Sequence, residues 1–226
     1  GAADTGDTVP AAARPVRPLR LPSARTQQSS RTHSTYRSTA LDAALRSLAE
    51  GGPNAASANR IAKDIGVTWG AVKYQFGDID GLWAAVLRRT AERRSDLPAL
   101  ADPTAPLHER VATIIDTLYA GLTAPDSRAI ETLRMSLPRD MAELDRLYPK
   151  TAAELSSWGA SWIEICQKAF ADVDVDPERI SEVAAFIPGA MRGITSERQL
   201  GGYYDLDKAR RGLTNAIVHY LQQSRQ

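Results

Sequence analysis

The apolar positions of this chain recur with a helical period almost throughout. Leu41, Ala44, Leu45, Leu48 and Ala49 fall at i, i+3, i+4, i+7 and i+8, which is one face of a 3.6-residue turn. Gly51-Gly52-Pro53 ends that helix. Ser57 is a suitable N-cap for a second helix running to Ile65, with Ile61 and Ile65 on one side. Gly66 suits the left-handed residue that closes a helix, and Thr68 is placed to cap a third, short one that ends at Gly77-Asp78. Asp78 in turn suits the cap of a fourth helix carrying Leu82, Ala85 and Val86, running to about Arg94. Pro98, Pro103 and Pro106 then interrupt the pattern, and further helices are expected near 106–123, 126–137, 138–147, 150–171, 177–197 and 205–223. Pro188, inside the fifth of these, is expected to bend or break it. No alternating strand or hairpin signal occurs. The predicted fold is all-α, with a small N-terminal helix-turn-helix domain and a larger C-terminal helical domain.

Composition narrows this only slightly. At 226 residues, 43% apolar and 24% charged, the chain has what an ordinary globular protein with a substantial core needs. No apolar run reaches the ~18 residues of a membrane span, and no apolar block of signal-peptide type stands near the N-terminus. The single Cys166 cannot form an intramolecular disulfide, so a reducing, cytoplasmic setting is expected.

Charge changes the picture more. Residues 1–34 hold five arginines against two aspartates, and residues 35–95 hold nine Lys and Arg against six Asp and Glu. The remainder holds fourteen bases and nineteen acids. A basic front and an acidic back are what a protein meeting a polyanion with its front would show, although scattered surface charge gives the same sums. Residues 1–34, with Pro at 10, 15, 18 and 22 and no apolar period, read as a flexible Arg-rich tail, either a solvated linker or a cationic arm. The expected organisation is tail 1–34, a small basic helical domain with its linking helix 35–95, and a larger helical domain 96–226.

Two helices joined by a tight glycine turn, the second short and polar on one side, describe a helix-turn-helix. Ile61, Ile65, Val67, Val72 and Phe76 form its expected buried side. Thr68, Trp69, Gly70, Lys73 and Tyr74 are left at the start and outer side of the third helix, where a recognition helix reaches base edges and phosphates. Thr68 brings a hydroxyl, Gly70 an absent side chain, Lys73 a charge and Tyr74 a phenol. Trp69 has two readings, packing on a thymine methyl or sugar, or folding back onto the first helix. Ser57, as the cap of the second helix, completes the set.

The stretch "YRSTALDAALRSLAEGGPNAASANRIAKDIGVTWGAVKYQFGDIDGLWAAVL", residues 36–87, resembles the DNA-binding domain of TetR-type (tetracycline-repressor-like) transcriptional regulators. The likeness is gapless from Gly52 to Leu82. It includes Ser57, Ile61-Ala62, Gly66-Val67, Thr68, Gly70-Ala71, Phe76 and Leu82, and spans about a quarter of the chain. The sequence departs from the family pattern at Lys73, where a phosphate-touching Tyr is usual, and at Ile79, where a Lys usually donates to the backbone of DNA. The resemblance implies a homodimer that binds a double-stranded, palindromic operator through the N-terminal domain. It also implies a C-terminal domain housing a small apolar or amphipathic effector, most simply one that releases a repressor.

For that effector the residues offer Tyr119, Met135, Trp158, Trp162, Phe170 and Phe186 as large side chains on expected interior faces, where plain core packing is the alternative. Glu131 and Arg134 read as polar anchors or as a surface i, i+3 pair. The helices at 177–197 and 205–223, with Ala184, Ala185, Gly189, Ala190, Gly193, Leu213, Ile217, Tyr220 and Leu221, read as a dimer seam or as an internal bundle. An enzyme is not expected. His33, His108 and His219 are scattered, no metal-ligand spacing occurs, and no phosphate-cradling glycine loop is present. No cofactor or metal is called for. The alternative to an effector-regulated protein is an architectural DNA-binding protein without an effector.

Overall fold

Several helices in this chain start where a side chain satisfies a free amide of the first turn. A computed structural model describes residues 24–51, 55–95, 102, 104–199, 201 and 205–223. In order these carry α1 (Ala24–Glu50), α2 (Ala58–Asp64), α3 (Trp69–Phe76), α4 (Ile79–Ser95) and α5 (Leu107–Thr123). They continue with α6 (Pro125–Ser136), α7 (Met141–Leu147), α8 (Pro149–Ala169), α9 (Pro177–Gln199) and α10 (Leu206–Gln222). No strand occurs among the described residues. The side chains of Ser57, Thr68, Asp140 and Asp205 accept from backbone amides at the starts of α2, α3, α7 and α10. The Asp140 cap sets the start of α7 at Met141 rather than at residue 138.

One boundary differs markedly from expectation. Helix α1 begins at Ala24, so part of the stretch read as a tail is helical, while residues 1–23 lie outside the described residues. From Ala24 to Glu50 there is neither Pro nor Gly. A helix already nucleated by the packed residues downstream extends at one hydrogen bond per residue fixed. Residues through Tyr36 and residues from Arg37 onward form two separate contact units, and the interactions that follow all lie within the second.

Two apolar cores organise that unit. The first gathers Leu41, Ala44, Leu45 and Leu48 of α1, Ile61 and Ala62 of α2, Val72 and Phe76 of α3, and the apolar side of α4. It continues past the linking helix to Leu133 of α6, Leu144 of α7 and Ala152 of α8. The second joins α5, α9 and α10 around Ile114, Ile115, Ile187, Met191 and Ile217, with Phe170 from the end of α8. Helix α8 therefore serves both cores. Arg110, buried in α5, holds the far end of α8 by donating to the Ala169 carbonyl at 3.3 Å and to both carboxylate oxygens of Asp172 at 2.6 and 2.9 Å.

Pro188 does not interrupt α9, which runs unbroken to Gln199. Proline removes the amide that would reach the carbonyl four residues back, here that of Ala184. The indole Nε1–H of Trp162 on α8 donates to that carbonyl at 2.7 Å. The acceptor that Pro188 leaves without a helical donor is thus satisfied from the neighbouring helix, and the same bond fixes α8 on α9. Replacing Trp162 by Phe is expected to lower stability in urea unfolding by about 1–3 kcal/mol, the cost of a buried acceptor left alone. Adding Pro188→Ala should restore most of that loss, because residue 188 then supplies the missing amide.

Candidate nucleic-acid interface

The α2–α3 corner is built by its glycine. Gly66 sits at φ +69°, a conformation that costs other residues. Its amide donates to the Lys63 carbonyl at 3.0 Å, and the Val67 amide to that of Ala62 at 3.0 Å. Ser57 Oγ accepts from the Arg60 amide at 3.5 Å and Thr68 Oγ1 from the Ala71 amide at 3.4 Å. Both residues proposed from the sequence thus stand at helix starts as caps, Thr68 on the exposed side. Beneath them Ile61 and Val72 are fully buried and Ile65 and Val67 pack against the first core.

What α3 turns outward is Thr68, Gly70, Lys73 and Tyr74, the last 80% exposed. Trp69 is turned inward rather than wholly outward. It is half-buried and packs against the first core, so it sets the helix's seating. Ile79, the departure at the start of α4, is also half-buried against that core. An apolar side chain there adds packing where the family pattern has a basic contact.

Two glycines nearby differ in kind. A Cβ on Gly81, in the first turn of α4, would lie 1.9 Å from the Phe76 carbonyl oxygen, so only glycine lets α4 close onto the end of α3. A Cβ on Gly70 would meet only Thr68 Oγ1, at an ordinary 3.6 Å. Nothing among the described residues requires glycine at position 70.

The far end of α3 is held by residues the sequence reading passed over. Arg37 of α1 donates to the Gln75 carbonyl at 3.1 Å, with its guanidinium 4.7 Å from the centre of the Phe76 ring. A cation at a helix C-terminus also meets the negative end of its dipole. The only sequence signal was an Arg four residues before Leu41, in phase with the apolar face of α1. Gly77, at φ +84°, closes the helix by donating to the Lys73 carbonyl at 2.7 Å. Asp78 caps α4, its Oδ1 accepting from the Gly81 amide at 2.6 Å. That bond, with the ammonium of Lys150, holds the Asp78 carboxyl below the usual carboxylate range.

The residues proposed for an effector are not gathered in one place. Trp158 packs against the first core, whereas Tyr119 and Trp162 pack against the second. The Tyr119 ring lies under the guanidinium of Arg210, 4.2 Å from its centre. Met135 and Phe186 are corrections. They are 65% and 55% exposed, because the buried face of α6 runs through Ala129, Ile130 and Leu133, and that of α9 through Val183, Ile187 and Met191. Phe186 instead borders an open hollow of about 330 Å³ with Glu182, Val183, Ala216, Ile217 and Tyr220. Cys166 is buried, and desolvation pushes its thiol up to about 12, which makes it a core residue. Among the described residues no helix is long and apolar enough to cross a membrane.

The described residues are all helical and present a short, firmly seated helix at a helix-turn-helix corner, the architecture of a DNA-binding head. Residues 40–86 match the model of the bacterial regulatory proteins of the tetR family. Solved structures share the fold. A transcriptional regulator from Rhodococcus sp. Rha1 is 18% identical with a TM-score of 0.63, over 84% of this chain and 99% of that one. NalD, the secondary repressor of the MexAB-OprM multidrug efflux pump in Pseudomonas aeruginosa, is 20% identical with a TM-score of 0.60, over 83% and 98%. The multidrug binding protein EbrR, solved with imidazole, is 20% identical with a TM-score of 0.58, over 85% and 93%. No curated relative matches the chain. Residues 40–86 are thus a DNA-binding domain of the type found in the tetR family of bacterial regulatory proteins, and the likeness over the rest of the chain is one of fold.

The contrast between the two glycines gives a direct test. Gly70→Ala is expected to leave thermal stability unchanged or raise it, since alanine is favoured over glycine in a helix by up to about 1 kcal/mol, while weakening DNA binding at least tenfold. Lys73→Ala and Tyr74→Phe are expected to weaken binding to all duplexes alike, because phosphate contacts position without specifying. Fluorescence anisotropy on specific and scrambled duplexes reads both effects.

Proposed function

We propose that this chain is a homodimeric transcriptional repressor that binds a palindromic operator through α3 and is released by a small apolar or amphipathic molecule. The observation that carries the DNA-reading part is Gly70, a glycine the fold does not need, set among outward Thr68, Lys73 and Tyr74. Close approach of a backbone to DNA is a reason for such a residue. The bound ligand of EbrR and the repressor role of NalD support the effector and the sign of regulation.

Assembly rests on α9 and α10. Phe186 is exposed together with Ala185, Gly189 and Gly193 of α9 and Gly212 and Ala216 of α10. A Cβ on Gly189, Gly193 or Gly212 would meet nothing within 4 Å. Glycine inside a helix is destabilising by about 1 kcal/mol relative to alanine, and no packing among the described residues offsets that cost. A second copy laid across the face would cover Phe186 and use the close approach. For the effector, Trp158 and Trp162 on α8 are the aromatic residues best placed to report binding, since they face the two cores. The five arginines of residues 1–34 supply further phosphate contacts in this reading.

Selection of bound fragments from genomic DNA by the full-length protein is expected to enrich a palindrome whose half-sites lie about one helical turn, ~34–36 Å, apart. Phe186→Asp should give monomers in analytical ultracentrifugation and abolish that enrichment. A wild-type protein that enriches no palindrome, or a Phe186→Asp variant that stays dimeric, refutes the corresponding half of the proposal. Thermal-shift screening then separates an effector-regulated repressor from an architectural protein, because only the former gains stability from a small ligand.

A further inference from the structure

The N-terminus of α8 has no cap of its own. It opens on Tyr148-Pro149, and no side chain of the segment accepts from its first amides. The acceptor comes instead from α4. Asp80, 5% exposed, accepts from the Lys150 amide on Oδ2 at 2.9 Å and from the Thr151 amide on Oδ1 at 2.8 Å. The Thr151 hydroxyl donates to the same Oδ1 at 2.7 Å. A carboxylate at the positive end of a 21-residue helix, with three hydrogen bonds, is a full N-cap supplied by another element. Around it Lys150 Nζ donates to both oxygens of Asp78 at 3.0 Å, and Arg88 pairs with Glu154.

This cap sits one residue from the glycine wedge. Gly81 presses against the Phe76 carbonyl at the end of α3, and Asp78, bound to Lys150, also caps the α4 turn through the Gly81 amide. The other half of α8 belongs to the second core, bonded to α9 by Trp162 and to α5 through Arg110. A shift of α8 within the second core therefore breaks the cap or carries Asp80 and the end of α3 with it.

We propose that α8 is the transmitting element of this protein, coupling the second core to the recognition helix through the cap that Asp80 places on Lys150 and Thr151. The regulatory meaning rests on the repressor reading; the mechanical coupling does not. It makes Asp80 and Thr151 positioning residues for DNA binding although neither faces DNA from α3.

A double-mutant cycle read by amide hydrogen exchange on the full-length protein tests the coupling, since position between two sites is not evidence of it. Thr151→Val keeps both backbone bonds and removes the hydroxyl donor. It is expected to speed exchange at residues 69–77 about five- to tenfold, somewhat under the full factor of a lost bond to a charged group, with α10 unchanged. Trp162→Phe, which loosens α8 on α9, should also speed exchange at 69–77, and the double variant should show less than the product of the two. Should Thr151→Val lower the folded fraction, Lys150→Met, which removes only the exposed pair with Asp78, reads the same amides. Effects confined to 149–153, or factors that simply multiply, overturn the proposal.

On a duplex selected by the wild type, Thr151→Val should weaken binding several-fold; unchanged affinity despite faster exchange in α3 removes the positioning role. If the wild type selects no duplex, the repressor reading fails while the exchange cycle still decides the coupling.

Discussion

Helix α3, the reading helix of the proposed function, has eight residues, too few to be stable alone in water, and that role requires that its outer face stay unpacked. Every other feature of the head compensates for that constraint. Val72 and Phe76 anchor the inner face in the first core. Thr68 satisfies a first-turn amide, Gly77 and Arg37 hold the last carbonyls, and Gly81 brings α4 into contact with the end. The result is a short backbone fixed at both ends, from which Lys73 and Tyr74 project. Recognition of a duplex needs this, because a frayed helix would lose its ordering entropy on binding rather than on folding.

The same constraint explains why the first core does not stop at the linking helix. A three-helix head of some fifty residues buries too little surface to be robust. Leu133, Leu144 and Ala152 extend its core into α6, α7 and α8. The extension ties the head to elements that also build the second core. From the Phe76 carbonyl to α9 the links are short and specific: Gly81 against α3, Asp80 on α8, and Trp162 on the Ala184 carbonyl. The face of α9 that carries Phe186 is thus one helix removed from the element that steadies the reading head.

The periodic elements were legible because their determinants are local. The buried face of α1 followed from spacing, and the caps at Ser57, Thr68 and Asp78, with the left-handed Gly66, followed from residue type. What escaped depends on partners far along the chain. Nothing near Asp80 signals that it caps a helix 70 residues later, and nothing near Pro188 says that Trp162 will take the carbonyl it leaves. Arg37 is an ordinary surface arginine until Gln75 is placed beside it. Met135 and Phe186 fell on the wrong side because size was weighed above phase, although Leu133 and Ile187 already fixed the buried faces. The start of α1 escaped for another reason: the helical stretch from Ala24 was grouped with the proline-rich residues before it, although the last of those prolines is Pro22.

Glycine usage shows where fold and function pull apart. Gly66, Gly77 and Gly81 are accounted for within one chain, two by left-handed backbone and one by a carbonyl 1.9 Å from where a Cβ would stand. Gly70, Gly189, Gly193 and Gly212 are in helices, carry no positive φ and face open space or ordinary contact. Each destabilises its helix by up to about 1 kcal/mol against alanine, a large share of the 5–15 kcal/mol that holds a typical protein together. A residue whose cost is not offset inside the monomer points to what the monomer meets. Gly70 lies on the outward side of α3, and Gly189, Gly193 and Gly212 lie on the exposed side of the α9–α10 pair. Gly121 of α5 and Gly159 of α8 are equally uncrowded and lie elsewhere, so it is the grouping of the other four that picks out two surfaces, one suited to close approach of DNA and one to close approach of another helix.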